Sequence, residues 1–286
     1  MPNVMCIYPS TTWANHEPML AASRIPSSTY RYLDSSGCAL DFEGMIEDLK
    51  AAPIHSIVLL HMCAHNPSGV DPSEDQWRHI LSIVEERQLF PLFDAAYQGF
   101  VSGDPNIDAF PVRLFASSSS SAKEMMVACS YAKNFGLYAD RIGALHVTAS
   151  SPEVFPKIAS QLRVISRVLY STCPVHGARI VATILNEEAR KAQWLSECKA
   201  MADRLNGVRT SLYDSLVEFK VKGTWDHVRK QRGMFSYTGL TSEVVLKLRA
   251  DYHIYLLENG RISLAGLNSS NTRYFAQALA AILGTN

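Results

Sequence analysis

The chain has 286 residues, of which 47% are hydrophobic and 19% charged, and its 27 Lys and Arg residues balance its 27 Asp and Glu residues. A nucleic-acid binder that neutralises phosphates needs a basic excess, so this balance argues against that class and against a polybasic membrane-surface protein. No stretch approaches 18 uninterrupted apolar residues, so no membrane span is predicted. Scattered cysteines and the lack of a signal or transit pattern predict a cytoplasmic protein with free thiols.

The first half of the chain alternates short apolar runs with helical patterns. Residues 57–60, 90–93 and 125–129 predict buried strands, and a helical pattern begins near Ser73. Continuous apolar strands that alternate with helices predict an α/β fold with a mostly parallel sheet flanked by helices. Asn66, Asp94 and Ser130 follow or end these strands, at the sheet edge where ligands bind in such folds.

The second half predicts a change of architecture. Residues 151–209 are largely helical, with one long helix expected from Ala182 toward Met201. Asn259-Gly260 lies between the apolar residues 253–257 and 261–264, which predicts a β-hairpin. The five serines at 117–121 predict a surface loop. We therefore expect a large domain at residues 1–200 and a smaller C-terminal α+β domain at residues 201–286.

Several polar residues are candidates for chemistry, each with an ordinary structural alternative. Lys133 is either a solvated loop lysine or a Schiff-base lysine. Asp94 either caps the following helix or pairs with a buried cation such as a protonated pyridine nitrogen. Tyr97 is a core tyrosine or a donor to a phenolate oxygen, and Asn66 is a turn residue or part of the same site. The histidines at 61 and 65 lack a third ligand at plausible spacing, so no metal site is predicted.

Several longer motifs together resemble one family. They are residues 61–72 (HMCAHNPSGVDP), 93–100 (FDAAYQGF), 130–138 (SYAKNFGLY) with Arg141, 233–235 (GMF) and 259–263 (NGRIS). Their types and their order are similar to those of the aspartate aminotransferases, which are class I pyridoxal-phosphate enzymes of fold type I. The similarity runs from about Trp13 to the C-terminus.

The resemblance implies pyridoxal 5'-phosphate as the cofactor. Lys133 would carry it as an internal aldimine, and Asp94 would keep the pyridine nitrogen protonated. Tyr97 and Asn66 would donate hydrogen bonds to the phenolic oxygen, and Trp13 would stack on the ring. Catalytic roles are therefore implied for Lys133, Asp94 and Tyr97.

The resemblance also implies phosphate and substrate contacts. Ser130 and Arg141 would bind the cofactor phosphate, since arginine suits bidentate contact with oxyanions. Arg261 would take the α-carboxylate of the substrate, and Arg167 would reach from the neighbouring subunit to its side-chain carboxylate. The residues implied to contact the substrate are Asn66, Arg167, Arg261 and Trp13.

The implied reaction is ping-pong amino transfer between aspartate or glutamate and 2-oxo acids, in a homodimer with shared active sites. The sequence begins almost at the Trp13 motif, and the family's preceding segment, with its Ser-Gly-Thr-type phosphate loop, has no counterpart here. A second interpretation is therefore a truncated, catalytically weak or silent remnant that acts only as a dimer partner. A mitochondrial location stays open if the true N-terminus lies upstream.

Overall fold

A computed structural model describes residues 4–119 and 124–285 of the chain. Within those residues the main sheet consists of β1 (Cys6–Pro9), β2 (Ser27–Tyr30), β3 (Ile57–His61), β4 (Phe90–Ala95), β5 (Met126–Ser130) and β6 (Gly143–Val147). The strand order is β2-β1-β3-β4-β5-β6. Neighbouring strands are parallel except β5 and β6, which are antiparallel. The predicted, mostly parallel α/β fold is confirmed.

The three strands predicted from apolar runs form the middle of this sheet. They form a continuous layer because their side chains are apolar on both faces. Asp94 is the next-to-last residue of β4 and does not follow it, and it pairs in register with His61 at the end of β3. The register places both polar side chains at the carboxyl edge of the sheet.

The helices associated with this sheet are α1 (His16–Ala22), α2 (Phe42–Ala51), α3 (Glu74–Glu86), α4 (Pro105–Asp108) and α5 (Phe110–Ala116). Helix α3 begins where the sequence predicts. The Ser73 hydroxyl accepts a hydrogen bond from the Gln76 N–H, and the Gln76 side chain accepts one from the Ser73 N–H. This capping box satisfies two N–H groups that have no partner inside the helix. Trp77 of α3 packs against Phe93 and Phe115, both fully buried.

The remaining elements are α6 (Phe155–Tyr170), α7 (His176–Leu185), α8 (Glu188–Glu218), α9 (Asp226–Lys230), β7 (Phe235–Tyr237), α10 (Ser242–Tyr252), β8 (Arg261–Ser263) and α11 (Ser269–Leu283). Strands β7 and β8 form a small antiparallel sheet. This part has a second hydrophobic core, which includes Leu212, Leu248 and Phe275. The predicted boundary between residues 200 and 201 lies inside α8, and the division into two domains stays a prediction.

The structure corrects the expected hairpin. Residues 253–257 are not a strand, and the partner of β8 is β7, with Phe235 opposite Ser263. Asn259 and Gly260 still form a turn, in which the Gly260 N–H donates to the Leu257 carbonyl at 2.9 Å. Turn chemistry therefore located the chain reversal correctly, but it could not identify which segment pairs with β8.

Other predictions were incomplete. The long helix expected from Ala182 is interrupted between α7 and α8, around Asn186. Strands β1, β2 and β6 were not predicted. Residues 117–119 of the serine run form a turn and a bend after α5, and residues 120 and 121 lie outside the described residues. None of the described helices combines the length and apolarity needed to cross a bilayer.

Candidate active site

A group of polar side chains lies at the carboxyl edge of β3, β4 and β5. Asn66 belongs to the loop after β3, Asp94 to the end of β4, and Lys133 to the loop that follows Ser130, the last residue of β5. Because these strands are parallel neighbours, their ends meet at one edge of the sheet. Residues that are 28 and 39 positions apart in sequence therefore come together in one site.

Asp94 lies next to a pair of histidines. Its Oδ2 atom is 3.1 Å from His16 Nε2, and only 20% of its side chain is exposed. Burial by itself raises the pKa of Asp94, but the His16 hydrogen bond and the nearby His61 and Lys133 outweigh burial, so this pKa lies below its usual range. The carboxyl is therefore ionised at neutral pH, as a partner of a cation must be.

The two histidines are joined through a hydroxyl. Thr12 Oγ1 lies 2.8 Å from His16 Nδ1 and 2.9 Å from His61 Nε2. Burial lowers the pKa of His61 to about 4, with Asp94 opposing and His16 adding to that effect. His61 is therefore neutral at pH 7, and it supports the site through hydrogen bonding, without charge.

Lys133 lies over an aromatic ring. Its Nζ atom is 4.6 Å from the centre of the Tyr97 ring, and Tyr97 is 4% exposed. Burial lowers the pKa of Lys133; the charge of Asp94 opposes this and that of Arg141 adds to it. Lowering the pKa of a lysine increases its neutral, nucleophilic form, so the site favours covalent chemistry at Nζ.

Asn66 connects Tyr97 to Arg261. The Asn66 Nδ2 atom donates to the Tyr97 hydroxyl at 3.1 Å, and Asn66 Oδ1 accepts from the Arg261 guanidinium at 2.9 Å. The same guanidinium lies 4.3 Å from the centre of the Phe235 ring. Arg261 is therefore held by a hydrogen bond on one side and an aromatic face on another, and it is not a solvated hairpin arginine.

The other predicted cofactor residues lie near this group with fewer contacts. Trp13 is 37% exposed and meets the His16 ring edge-on, with ring centres 5.4 Å apart. Ser130 Oγ accepts from the Ala132 N–H at 3.3 Å. Arg141 donates to the Tyr138 carbonyl at 3.0 Å and lies close enough to lower the pKa of Lys133. These positions are compatible with a ligand at the sheet edge.

Arg167 is the predicted residue that the structure does not bring to the group. It lies in the last turn of α6, is exposed, and its side chain makes no hydrogen bond or ion pair within residues 4–119 and 124–285. Its role was predicted to be in the active site of a neighbouring subunit. That role stays a prediction for this chain.

The sequence alone predicted no role for three residues of this site, although Phe235 belongs to the 233–235 motif. His16 and Thr12 support Asp94, and Phe235 supports Arg261. The signal for His16 was its place three residues after Trp13, in the segment TWANH. The ligand atoms of His16, His61 and Asp94 lie within 4.8 Å of one another, so these three residues form a cluster of metal-ligand type.

A cleft opens beside Lys133. It has a volume of about 690 Å³, which falls in the range of small-molecule sites. Its apolar walls include Phe100, Phe135, Trp194 and Met234. Asp94, Asn66 and Tyr97 do not line it, so the cleft and the polar group meet at Lys133.

Comparison with known proteins agrees with this geometry. Residues 2–279 match the family described as Aminotransferase class I and II. The chain belongs to this family. An "Aspartate aminotransferase 1" of Medicago sativa is 46% identical over 275 residues, which is 96% of this chain and 65% of that relative. A cytoplasmic aspartate aminotransferase of Dictyostelium discoideum is 47% identical, over 94% of this chain and 60% of the relative.

Solved aminotransferase structures share the fold. A mitochondrial aspartate aminotransferase from Trypanosoma brucei superposes with a TM-score of 0.94 at 39% identity, over 98% of this chain and 73% of that one. An aromatic-amino-acid aminotransferase from Burkholderia pseudomallei, covalently bound to pyridoxal phosphate, gives 0.94 at 36% identity, over 99% and 70%. The resemblance to the aspartate aminotransferases is confirmed. The chain spans less than two thirds of the length of the Medicago and Dictyostelium relatives.

Proposed function

We propose that this chain catalyses amino transfer between aspartate or glutamate and 2-oxo acids with pyridoxal phosphate, in which aspartate and 2-oxoglutarate give oxaloacetate and glutamate. The observation that carries the proposal is one connected group. Lys133 lies over the Tyr97 ring, and Asn66 is hydrogen-bonded to both Tyr97 and Arg261. The ionised Asp94 lies nearby. A nucleophilic amine and a carboxylate-binding cation are thereby joined through two residues.

The donors and acceptors present fit this cofactor. Pyridoxal phosphate supplies an aldehyde that bonds to amines and a ring that withdraws electrons when its nitrogen is protonated. The ionised Asp94 would accept the N–H of that ring, and Tyr97 and Asn66 would donate to its phenolic oxygen. The fit is chemical: a buried carboxylate whose pKa is lowered by hydrogen bonding is the group needed opposite a buried cation.

Other residues would orient the cofactor. Trp13 would cover one face of the ring, and Ser130 and Arg141 would bind the phosphate. Ser130 ends β5, and Arg141 carries its charge close to Lys133. Arg141 adds to the lowering of the pKa of Lys133, and a bound phosphate would offset the charge of Arg141.

Lys133 would move the proton. Burial lowers its pKa, which brings the amine closer to the range in which it can both accept and return a proton near neutral pH. Its Nζ atom would take the proton from the α-carbon of the substrate and deliver it to the cofactor side and not back to that carbon, as amino transfer requires. Arg261 would hold the α-carboxylate, so that the bond between the α-carbon and its hydrogen faces Lys133. Fixing the reacting groups in this way lowers the activation free energy by up to roughly 7–11 kcal/mol.

Arg167 would supply the second carboxylate contact from a neighbouring copy, which makes the active form a homodimer. The surface around Arg167 supports this arrangement. Val164, Ile165, Val168, Leu169 and Tyr170 of α6 are between 52% and 79% exposed. Exposed apolar side chains on one helix are typical of a protein interface. We place the dimer in the cytoplasm, as the Dictyostelium relative's name indicates for that protein; relatives named mitochondrial give the alternative.

A second candidate is a dimer partner with weak or no turnover. The observation that favours it is the small number of phosphate contacts. Arg141 is exposed and already donates to the Tyr138 carbonyl, and Ser130 accepts a backbone N–H. Each charged hydrogen bond that a phosphate lacks weakens its binding by about 1.5–3 kcal/mol.

The test is an amino-transfer assay on the purified chain with added pyridoxal phosphate, aspartate and 2-oxoglutarate. We expect oxaloacetate to form, the Lys133→Ala variant to be inactive, and Lys199→Ala to keep wild-type activity, since Lys199 is an exposed lysine paired with Asp203. Activity with phenylalanine and none with aspartate would refute the dicarboxylate specificity. Cofactor binding without any transfer would favour the second candidate.

A further inference from the structure

Arg209 is a buried cation that the proposed chemistry does not use. It lies on α8 and is 3% exposed. Its guanidinium donates to three backbone carbonyls, those of Val228 at 3.0 Å, Gly233 at 2.9 Å and Phe235 at 3.0 Å. Its Nε atom has no hydrogen-bond partner among the described residues. Burial lowers the pKa of Arg209 to about 10, while Asp71 favours the charged form, so the side chain is charged at neutral pH.

The three carbonyls lead to Arg261. Phe235 is the first residue of β7, and β7 pairs with β8 so that Tyr237 lies opposite Arg261. The Phe235 ring lies below the Arg261 guanidinium, 4.3 Å from its central carbon. A shift of the Gly233–Phe235 backbone would therefore move both the aromatic support of Arg261 and the strand paired with it.

The loop that carries Asn66 packs against the same segment. The Arg232 N–H donates to the Gly69 carbonyl at 2.7 Å, and a Cβ atom on Gly233 would lie 2.4 Å from the Ala64 Cβ. Asp71 closes this loop by accepting the N–H groups of Ala64 and His65 at 2.7 and 2.9 Å. The hydrogen-bond acceptor and the aromatic support of Arg261 thus rest on two backbone segments in direct contact.

Arg209 has no carboxylate partner, and the free energy lost in desolvating its charge offsets much of the stabilisation from its three hydrogen bonds to carbonyls. Its planar, forked donors fix direction and distance better than water or a flexible amine. This favours a role in geometry over one in general stability.

We propose that Arg209 is a positioning residue for carboxylate binding at Arg261, acting through the Gly233–Phe235 backbone. The inference rests on the proposed function, since it takes Arg261 as the carboxylate site. Arg209 itself touches neither substrate nor cofactor. Its removal lets β7 shift, and Arg261 loses the orientation that matches a carboxylate.

The test measures binding of maleate, a dicarboxylate that cannot undergo amino transfer, by calorimetry on the purified chain with pyridoxal phosphate added. We expect Arg209→Met to raise the Kd for maleate about tenfold. This is the effect of losing one charged hydrogen bond between Arg261 and the carboxylate. The matched control is Arg87→Met, because the Arg87 guanidinium also donates to a backbone carbonyl, that of Ala52 at 2.8 Å, and its Nε atom also has no hydrogen-bond partner among the described residues. Arg87 lies between α3 and the start of β4, away from the carboxyl edge of the sheet, so this variant should keep wild-type affinity for maleate.

Wild-type affinity in Arg209→Met, or equal weakening in both variants, overturns the proposal, as does a wild-type chain that binds no maleate. If Arg209→Met does not fold, Arg209→Lys is tested instead, since a lysine keeps the charge but cannot reach all three carbonyls. Wild-type affinity for maleate in Arg209→Lys also overturns the proposal. Where turnover is measurable, the KM for aspartate should rise in Arg209→Lys with kcat little changed. Absence of amino transfer refutes the proposed function but leaves the comparison of maleate affinities valid.

Discussion

His61, which pairs in register with Asp94, makes the stability of this protein depend on pH in a defined window. Burial holds the pKa of His61 at about 4, against an ordinary 6.5. Between these values the unfolded chain takes up a proton at this position and the folded chain does not. The free energy of unfolding therefore decreases as the pH falls from about 6.5 to about 4, and His61 adds no further change outside that window.

The magnitude follows from the two pKa values. His61 accounts for a loss of about 2 kcal/mol between pH 7 and pH 5, rising to about 3 kcal/mol at pH 4. Replacing His61 by Gln removes the titrating group and keeps a side-chain amide that can bond the Thr12 hydroxyl, which lies 2.9 Å from His61 Nε2. The variant should therefore lose about 2 kcal/mol less than the wild type between pH 7 and pH 5.

The assay is urea unfolding followed by circular dichroism at pH 7, 6 and 5, with the slope against urea checked at each pH. His146→Gln is the matched control, because His146 is exposed on β6, and it should lose as much stability as the wild type. Equal losses in His61→Gln and wild type would mean that His61 titrates alike in the folded and unfolded chains, and that burial does not lower its pKa.

Three further outcomes are expected. Phe93→Ala, in the fully buried contact with Trp77, should lower the free energy of unfolding by about 3–5 kcal/mol in urea titrations, and a loss below about 1 kcal/mol would show that this core is not packed as described. Ser73→Ala removes the cap of α3 and should cost about 1 kcal/mol in the same assay, whereas an unchanged midpoint would contradict the capping box with Gln76. Asp94→Ala should raise the Kd for pyridoxal phosphate, measured by fluorescence titration, by about tenfold to a hundredfold; a wild-type Kd would show that Asp94 does not contact the cofactor.

The sequence predicted the parts of the fold whose signals are local. Strands β3, β4 and β5 are continuous apolar runs, and their polar ends place Asn66, Asp94 and Ser130 at one edge of a parallel sheet. The start of α3 is encoded by Ser73 at the N-cap and by Gln76 three residues later, in the first turn. The family motifs added Lys133, and the structure places its Nζ atom 4.6 Å from the ring centre of Tyr97.

The signals that failed are those that depend on distant partners. Strand β2 reads Ser-Ser-Thr-Tyr and is a strand because β1 pairs with it along four residues. The residues of β7 that pair with β8 lie 24 to 28 positions earlier in the chain, from Tyr237 opposite Arg261 to Phe235 opposite Ser263. A turn signal reports only on its immediate flanks and cannot identify so distant a partner. His16 supports Asp94 across 78 residues, a distance at which spacing carries no information.

The proposed function depends on a covalent bond between Lys133 and pyridoxal phosphate, and borohydride trapping followed by peptide mass spectrometry detects that bond. Pyridoxal phosphate also labels exposed lysines, so the informative quantity is the share of label on Lys133 relative to exposed lysines such as Lys199 and Lys247. We predict near-stoichiometric label on Lys133 at cofactor concentrations that leave the exposed lysines largely unlabelled. Label spread over the exposed lysines, with Lys133 unmodified, would show that Lys133 does not bind the cofactor.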